Sequence, residues 1–389
     1  MKYYLKCNEI FHETGIVNNQ YLLIENEYIK AIHNKPKENI KVIDLGLYKA
    51  IPGLIDLHIH GANGFDVMDC SYEALNEISK YLARYGVTSF LATTLTAPLR
   101  KIKDALINVK ESLDKELDGA VLLGTYLEGP YLTEKHKGAH PAEYMRSLNQ
   151  EEIANLINLS NNTIKIMTVA PDKENSNQVI KYLRENNINV SIGHTNATYD
   201  ETMEAFDSGA NIGVHTFNGM RGLHHREPGV VGAIMNHEKA YAELIADNIH
   251  VHPSVMNILY KIKGTERICL ISDCMRAGGL PDGEYMLGEL EVIVKDSIAK
   301  IETGSLAGST LKLIDAIRNI VNATGIDIFE GIKMATLTPA SVINFNHEIG
   351  SIKENKKADI AIVDNDLNVV MTIVGGKIVY SIEELKDKY

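Results

Sequence analysis

The 389-residue sequence has no tryptophan, only seven phenylalanines and only four cysteines. Cys7, Cys70, Cys269 and Cys274 show no C-x-x-C spacing and are too few to staple a secreted fold of this length, so reduced thiols in a cytoplasmic protein are expected. The chain does not open on the apolar stretch of a signal peptide, and it contains no run of about 18 apolar residues that would suit a membrane-spanning helix. Positive charge is also scarce. Lys and Arg number 39 against 51 Asp and Glu, and the formal net charge of −12 repels nucleic-acid backbones and acidic membrane surfaces. Neither is expected as a partner, and an anionic substrate would need a local cationic pocket. With 45% hydrophobic and 23% charged residues there is apolar material for a large core, and the length suits one barrel of about 250 residues plus an accessory module.

Short β runs open the chain at 3–9, 21–24, 28–32 and 42–45, with a turn at Asn26. The last thirty residues repeat the pattern at 360–363, 369–374 and 377–380, around Asp366 and Gly375-Gly376. Strands at the two termini can therefore pair with each other. Between them, apolar runs at 54–60, 87–95, 121–127, 164–170, 190–192, 212–214, 242–246 and 268–271 alternate with helical segments, the pattern of parallel strands covered by helices. Asn149 with Glu152 and Thr198 with Glu201 resemble capping boxes, Pro253 suits a first helical turn, and Gly86 and Gly209 suit helix ends. Eight β/α units in about 220 residues predict a (β/α)8, TIM-like barrel. A doubly wound open sheet would carry a glycine-rich phosphate turn after its first strand, where this sequence has Asp56, His58 and His60. A β insertion over 283–301 follows the eighth strand and is expected outside the barrel wall, with helices at 310–323 and 329–335 after it. The expected division is 1–50 and 346–389 as two parts of a terminal β module, and 51–345 as the barrel.

In such a barrel the loops at the C-terminal ends of the strands converge on one mouth, where chemistry is expected. His58 and His60 lie two apart in an extended segment, so both imidazoles face one way and can share a metal. Taken alone, the pair reads equally well as two ordinary hydrogen-bonded histidines. Other strand ends carry ligand types too: Glu128 after the third strand, His194 after the fifth, His215 after the sixth and Asp273 after the eighth. Four of the fourteen histidines at strand ends around one mouth favour a joint metal site over scattered core polar residues. Imidazole and carboxylate ligands suit Zn²⁺ or Fe²⁺ first, with Mn²⁺ or Co²⁺ also compatible, rather than Ca²⁺ or Mg²⁺. The ligand count allows one ion, or two bridged by Glu128. Such a metal acidifies a bound water to a pKa of about 7 and polarises a carbonyl, which is hydrolytic chemistry. Asp273 then suits proton transfer from water to a leaving nitrogen, although a ligand or helix-cap role fits its position as well.

These residues sit in longer motifs: PGLIDLHIHG at 52–61, LEGPY at 127–131, GH at 193–194, HTFNGMRGLHHREPG at 215–229, ISD at 271–273 and LAGS at 306–309. With them the sequence resembles the amidohydrolase superfamily and, within it, the family of N-acetylglucosamine-6-phosphate deacetylases. H-x-H and a lone GH are shared across the superfamily; LEGPY and GLHHREPG are far more specific, and the likeness spans nearly the whole chain. It implies a barrel of the metal-dependent hydrolase type with a small β-sandwich built from both terminal segments. It implies Glu128, His194 and His215 as metal ligands, with His58 and His60 completing a second site, and Asp273 as the catalytic carboxylate. His140, in KGAHP, is implied as the histidine facing the scissile carbonyl, where spacing alone favours a surface residue. Substrate contacts are implied at Ala139, His140, Asn218, Gly219, Arg226, Asn248, His250, Leu306, Ala307 and Gly308.

Arg226 and His250 offer the local positive charge that a phosphate needs, though without the resemblance they read as a solvated loop arginine and a strand-end histidine. In the family, phosphate contacts come from the neighbouring subunit, so a homodimer is expected. Two departures fall in the implied sugar pocket: Gly219 stands where many relatives have Ala, and Asn248 where they commonly have Gly. The expected reaction is metal-dependent deacetylation of N-acetylglucosamine 6-phosphate to glucosamine 6-phosphate and acetate, by metal-bound hydroxide with Asp273 as general base and then acid. The alternatives are another amidohydrolase, such as a cyclic-amide hydrolase or a deaminase, and an inactive metal-binding scaffold. The first leaves Arg226 and His250 without a role, and the second leaves a full set of catalytic groups idle.

Overall fold

The computed structural model describes residues 1–389. Eight parallel strands follow one another around a barrel: Leu54–Ile59, Val87–Thr93, Val121–Leu127, Ile164–Val169, Asn189–Ile192, Ile212–Gly213, Tyr241–Ile245 and Ile268–Ile271. Most are buried along their whole length because helices cover the outside while side chains fill the inside. The interior cluster takes Ile55, Leu57, Leu91, Tyr126, Ile166 and Ile271 from the strands and adds Ala340, Val342 and Ile343 from the helix Leu337–Val342 and its exit. That helix plugs the N-terminal end of the barrel. The residue before Thr336, its N-cap, accepts from Ile55 at the start of the first strand (2.9 Å), and Thr338 donates to Thr265 just before the eighth strand (3.1 Å).

The helices begin and end where local chemistry dictates. Ser71 caps Tyr72–Arg84 by accepting from Ala74 N–H, and Gly86, at φ +81°, takes the left-handed conformation that turns the chain into the second strand. Thr198 and Glu201 form a reciprocal capping box on Tyr199–Asp207. Pro253 opens the helix Pro253–Lys263 behind a His252 cap. The box expected at Asn149 forms only in half. Asn149 accepts from Glu152 N–H, but the Glu152 carboxylate does not reach back, because Arg146 and Tyr131 both donate to it (2.6–2.9 Å).

No β-ladder joins the eighth strand to the first. The chain just past the eighth strand closes the barrel instead: Asp273 N–H donates to His58 O (2.9 Å), and His60 and Gly61 N–H donate to Cys274 O (2.9 and 3.0 Å). The bonds that complete the barrel thus also set Asp273 beside the H-x-H pair.

The terminal segments form a second, eight-stranded sheet with its own 18-residue core. Its long first strand, Lys2–His12, pairs with Gly15–Glu25 on one side and on the other with Lys41–Asp44 and then Lys49–Pro52, so one strand serves two neighbours. Lys49–Pro52, a strand absent from the sequence reading, also pairs antiparallel with Ile360–Val363 and so joins the two ends of the chain. The insertion is a three-stranded antiparallel sheet, Gly283–Leu287, Leu290–Lys295 and Ile298–Lys300. It is not merely external to the wall: Gly288 N–H donates to buried Asp66 (3.1 Å), and Leu287 reaches the mouth of the barrel. No helix is long and apolar enough to cross a membrane.

Candidate metal and catalytic site

At the C-terminal end of the strands lies a cavity of about 300 Å³, lined by His60, Glu128, His140, His194, His215, His250 and Asp273. The size suits a small molecule. Leu95, Gly138, Ala139, Asn218, Gly219, Ile245, Leu287, Ser305, Leu306 and Gly308 complete the wall. Three of the site residues sit at positive φ despite carrying side chains, His194 at +46°, His215 at +24° and Asp273 at +48°. Each is the turn residue by which a strand end aims its side chain into the mouth, a sparsely populated conformation that clusters at functional sites.

Two groups of ligand atoms lie close enough to hold metal ions: His58, His60 and Asp273, and Glu128, His194 and His215. Glu128 stands between them. Its Oε2 lies 3.5 Å from His58 Nε2 and 3.2 Å from His60 Nε2, while its Oε1 lies 3.2 Å from His194 Nε2 and 3.0 Å from His215 Nε2. Asp273 Oδ1 lies 3.5 and 3.3 Å from the Nε2 atoms of His58 and His60.

The groups behind the rings show what the front atoms are for. His194 Nδ1–H donates to His136 O (3.0 Å) and His215 Nδ1–H to Asn218 O (3.1 Å), so in the neutral rings both Nε2 atoms are bare lone pairs. Those two nitrogens lie 3.0 Å apart, a separation that a cation shared between them, a metal ion or a proton, makes favourable. His58 Nδ1–H donates to buried Glu243 (3.3 Å), and its Nε2 is buried with no hydrogen-bond partner. Imidazole nitrogens presented in this way with carboxylate oxygens fit a divalent transition metal.

The charges agree with this. Burial alone would raise the Asp273 pKa, but the hydrogen bond from His60 and the charges of His58 and His60 outweigh it and bring the pKa down to about 2. Burial would lower His60, but Asp273 and Glu128 hold it up at about 9. Glu128 lies well below the carboxylate range for the same reason: burial raises it, and His58 and the surrounding imidazoles lower it further. His140 moves the other way, to about 4, because burial and then the charge of His194 both disfavour its cation.

The structure brings His58, His60, Glu128, His140, His194, His215 and Asp273 together and sets Ala139, Asn218, Gly219, His250, Leu306 and Gly308 around them. It does not bring Arg226, Asn248 or Ala307 into the cavity of the same chain. Arg226 sits on an exposed turn against His225. Asn248 is exposed at φ +65°, a conformation asparagine tolerates and glycine prefers. Ala307 is fully buried, and its N–H donates to Ala299 O in the insertion (3.1 Å). Gly219 has a local reason: at φ +61°, a Cβ there would lie 2.8 Å from His194 Nδ1. Nothing in the sequence marks Leu95, Gly138, Ile245, Leu287 and Ser305 as cavity residues, and Glu243 stands out only as a charged residue within an apolar strand. Only the buried charge was a signal that could have been followed.

Residues 50–379 match the amidohydrolase family. The N-acetylglucosamine-6-phosphate deacetylase of Vibrio furnissii is 43% identical over 92% of this chain and 89% of its own. The N-acetylgalactosamine-6-phosphate deacetylase of Escherichia coli O157:H7 is 40% identical over 97% and 99%. Among solved structures, an N-acetyl-D-glucosamine-6-phosphate deacetylase from Mycobacterium smegmatis, in complex with N-acetyl-D-glucosamine-6-phosphate, superposes with a TM-score of 0.93 at 27% identity, over 98% of this chain and 100% of that one. The Thermotoga maritima N-acetylglucosamine-6-phosphate deacetylase does so at 0.86 and 33%, over 98% and 99%. Likeness of this depth, running through the terminal sheet as well as the metal-ligand motifs, means that the chain belongs to the amidohydrolase family.

Proposed function

We propose that this enzyme removes acetate from N-acetylglucosamine 6-phosphate, leaving glucosamine 6-phosphate. The observation that carries the reading is Glu128, with one oxygen toward each imidazole cluster on the floor of a cavity that also holds Asp273, His140 and His250. A divalent metal bound there supplies polarisation of the amide carbonyl and acidification of the attacking water. The donor set fits zinc or iron first, with manganese and cobalt also compatible, at one or two sites. Glu128, His194 and His215 are assigned to one site, His58 and His60 to the second.

Asp273 is assigned the proton transfer. With its pKa near 2 it is ionised at neutral pH, so it can accept the proton of the attacking water and pass it to the departing amine. His140 faces the amide oxygen as a neutral hydrogen-bond donor. Ala139, Asn218, Gly219, Leu306 and Gly308 form the sugar-binding wall, and Ala307 and Asn248 support it from outside the cavity. His250, oriented by Asp247 (2.6 Å), meets the phosphate.

Arg226 serves the phosphate in the partner's cavity of a homodimer, since its own chain holds it outside. Leu223 and Ile249, near these two residues in sequence, and Ile258 and Ile262, one turn apart on the following helix, are all exposed and offer apolar surface for such a contact. A cytoplasmic location suits the four free thiols.

The test is acetate release from N-acetylglucosamine 6-phosphate, from its galacto epimer and from unphosphorylated N-acetylglucosamine, by metal-loaded and chelator-stripped enzyme. The gluco phosphate is expected to be fastest, the free sugar slower by roughly 100-fold or more in kcat/KM, and the stripped enzyme inactive. Equal rates on the phosphorylated and free sugars remove the phosphate assignment, a faster galacto epimer reassigns the sugar, and activity surviving chelation ends the metal role. Asp273→Asn is expected to lower kcat by about 10²- to 10⁴-fold with metal content near wild type. Lost metal would make Asp273 a ligand instead.

A further inference from the structure

We infer that Thr96 is a positioning residue that fixes His140 in the one tautomer able to donate a hydrogen bond into the cavity, and that Gly129 makes room for it to do so. The inference rests on the deacetylase reading for its effect on rate, but not for the tautomer itself.

His140 differs from the ligand histidines in what stands behind it. Carbonyl oxygens, which can only accept, stand behind Nδ1 of His194 and His215, so those rings carry their proton at the back and present lone pairs. Behind His140 Nδ1 stands the backbone N–H of Thr96 (3.3 Å), which can only donate. Nδ1 must therefore accept, and the Thr96 hydroxyl, 2.8 Å from the same nitrogen, donates to it as well. A neutral imidazole has one proton, so in His140 it lies on Nε2, 3.5 Å from Glu128 Oε2 and inside the cavity. One ring type thus serves two purposes, set by whether an acceptor or a donor lies behind it. His140 presents N–H to an amide oxygen, while its neighbours present lone pairs to a metal.

Thr96 can approach only because residue 129 lacks a side chain. A Cβ on Gly129 would fall 2.1 Å from Thr96 Oγ1, and the residue sits at φ +77°. Gly129 follows Glu128 directly, so the dipeptide that places a carboxylate between the two imidazole clusters also leaves the space in which Thr96 holds His140. Both Thr96 and His140 are almost fully buried, which keeps water from competing for Nδ1.

The test is nitrogen NMR on zinc-loaded enzyme carrying ¹⁵N-histidine, with His140 assigned by loss of its signals in His140→Gln. Nδ1 of His140 is expected in the unprotonated range and Nε2 in the protonated range at neutral pH; a protonated Nδ1 overturns the inference whether or not the enzyme is a deacetylase. Thr96→Val, which keeps the shape and the backbone N–H but loses the hydroxyl, is expected to leave Nδ1 unprotonated and to move its signal further from the protonated range, because one of the two donors to it is gone. It should also lower kcat about tenfold with KM and zinc content unchanged, while Thr96→Ser restores both. Unchanged signals and kcat in Thr96→Val would also overturn it. A wild-type enzyme inactive on every acetylated sugar phosphate, with the NMR pattern as expected, would sink the proposed function and leave the tautomer assignment standing.

Discussion

Single residues in this site act through what lies one atom behind them. Glu243 shows this for the first barrel strand: buried and away from substrate, it accepts from His58 Nδ1 (3.3 Å), the His215 backbone N–H (3.3 Å) and the Tyr126 hydroxyl (3.4 Å). With His58 as a proposed metal ligand, replacing the Glu243 carboxylate makes its imidazole less basic, so Glu243→Gln is expected to weaken metal binding at the His58–His60 cluster by roughly 10- to 100-fold. Competition with a chelator of known affinity measures this, and unchanged affinity would show that Glu243 only fills space. The proposed ligands were legible in the sequence because a histidine or glutamate directly after an apolar run is a conspicuous break in pattern. Thr96 was not, because a threonine near a strand has ordinary structural uses; Glu243 breaks an apolar strand, but only distance shows which ring either residue touches.

Elements were legible in proportion to how far local chemistry controls them. All eight barrel strands lie where apolar runs place them, and the ends differ by one or two residues because hydrogen bonding, not hydrophobicity, decides where a strand stops. Thr198 shows a start set by local sequence, since its capping box closes within one turn. Thr198→Ala is expected to cost about 1 kcal/mol, lowering Tm by roughly 1 °C without changing kcat. Calorimetry beside a rate measurement checks this, and a kcat loss would show that the cap also positions the loop after His194. Asn149 shows the opposite case: the same motif forms in half because tertiary neighbours, Arg146 and Tyr131, take the glutamate. The helix Leu337–Val342 leaves no local signal in the sequence; it is short and contains Pro339, and it is held by packing under the barrel rather than by its own propensity.

At the scale of the whole molecule, the two ends of the chain are locked together by charge as well as by strands. Glu13, just past the first strand, accepts from Ser351 (2.6 Å) and Lys353 (2.7 Å) and lies 3.1 Å from Lys356. Burial would raise its pKa, but these partners, Lys353 first, bring it from the ordinary 4.5 down to about 2. A carboxylate with a depressed folded-state pKa contributes stability that is complete above 4.5 and is lost as pH falls toward 2. Glu13→Gln is therefore expected to flatten the fall of Tm across that window, and parallel curves for the two proteins would refute the link. The proposed homodimer, with Arg226 reaching the partner's cavity, can be tested by complementation. Mixing Arg226→Ala with Asp273→Asn builds heterodimers with one intact site, so activity should recover to about a quarter of wild type from two nearly inactive parents. No recovery would place Arg226 in its own chain's site or in none. The sequence by itself determined the alternation of strands and helices, the ligand types at the strand ends and the family motifs, because hydrophobic period and residue chemistry are local properties. Only the tertiary structure decided that Glu128 lies between two imidazole clusters, that the segment after the last strand closes the barrel onto Asp273, and which ring nitrogen faces the cavity. Those depend on contacts between residues up to 215 positions apart, such as His58 with Asp273, and on hydrogen bonds whose partners no spacing along the chain encodes.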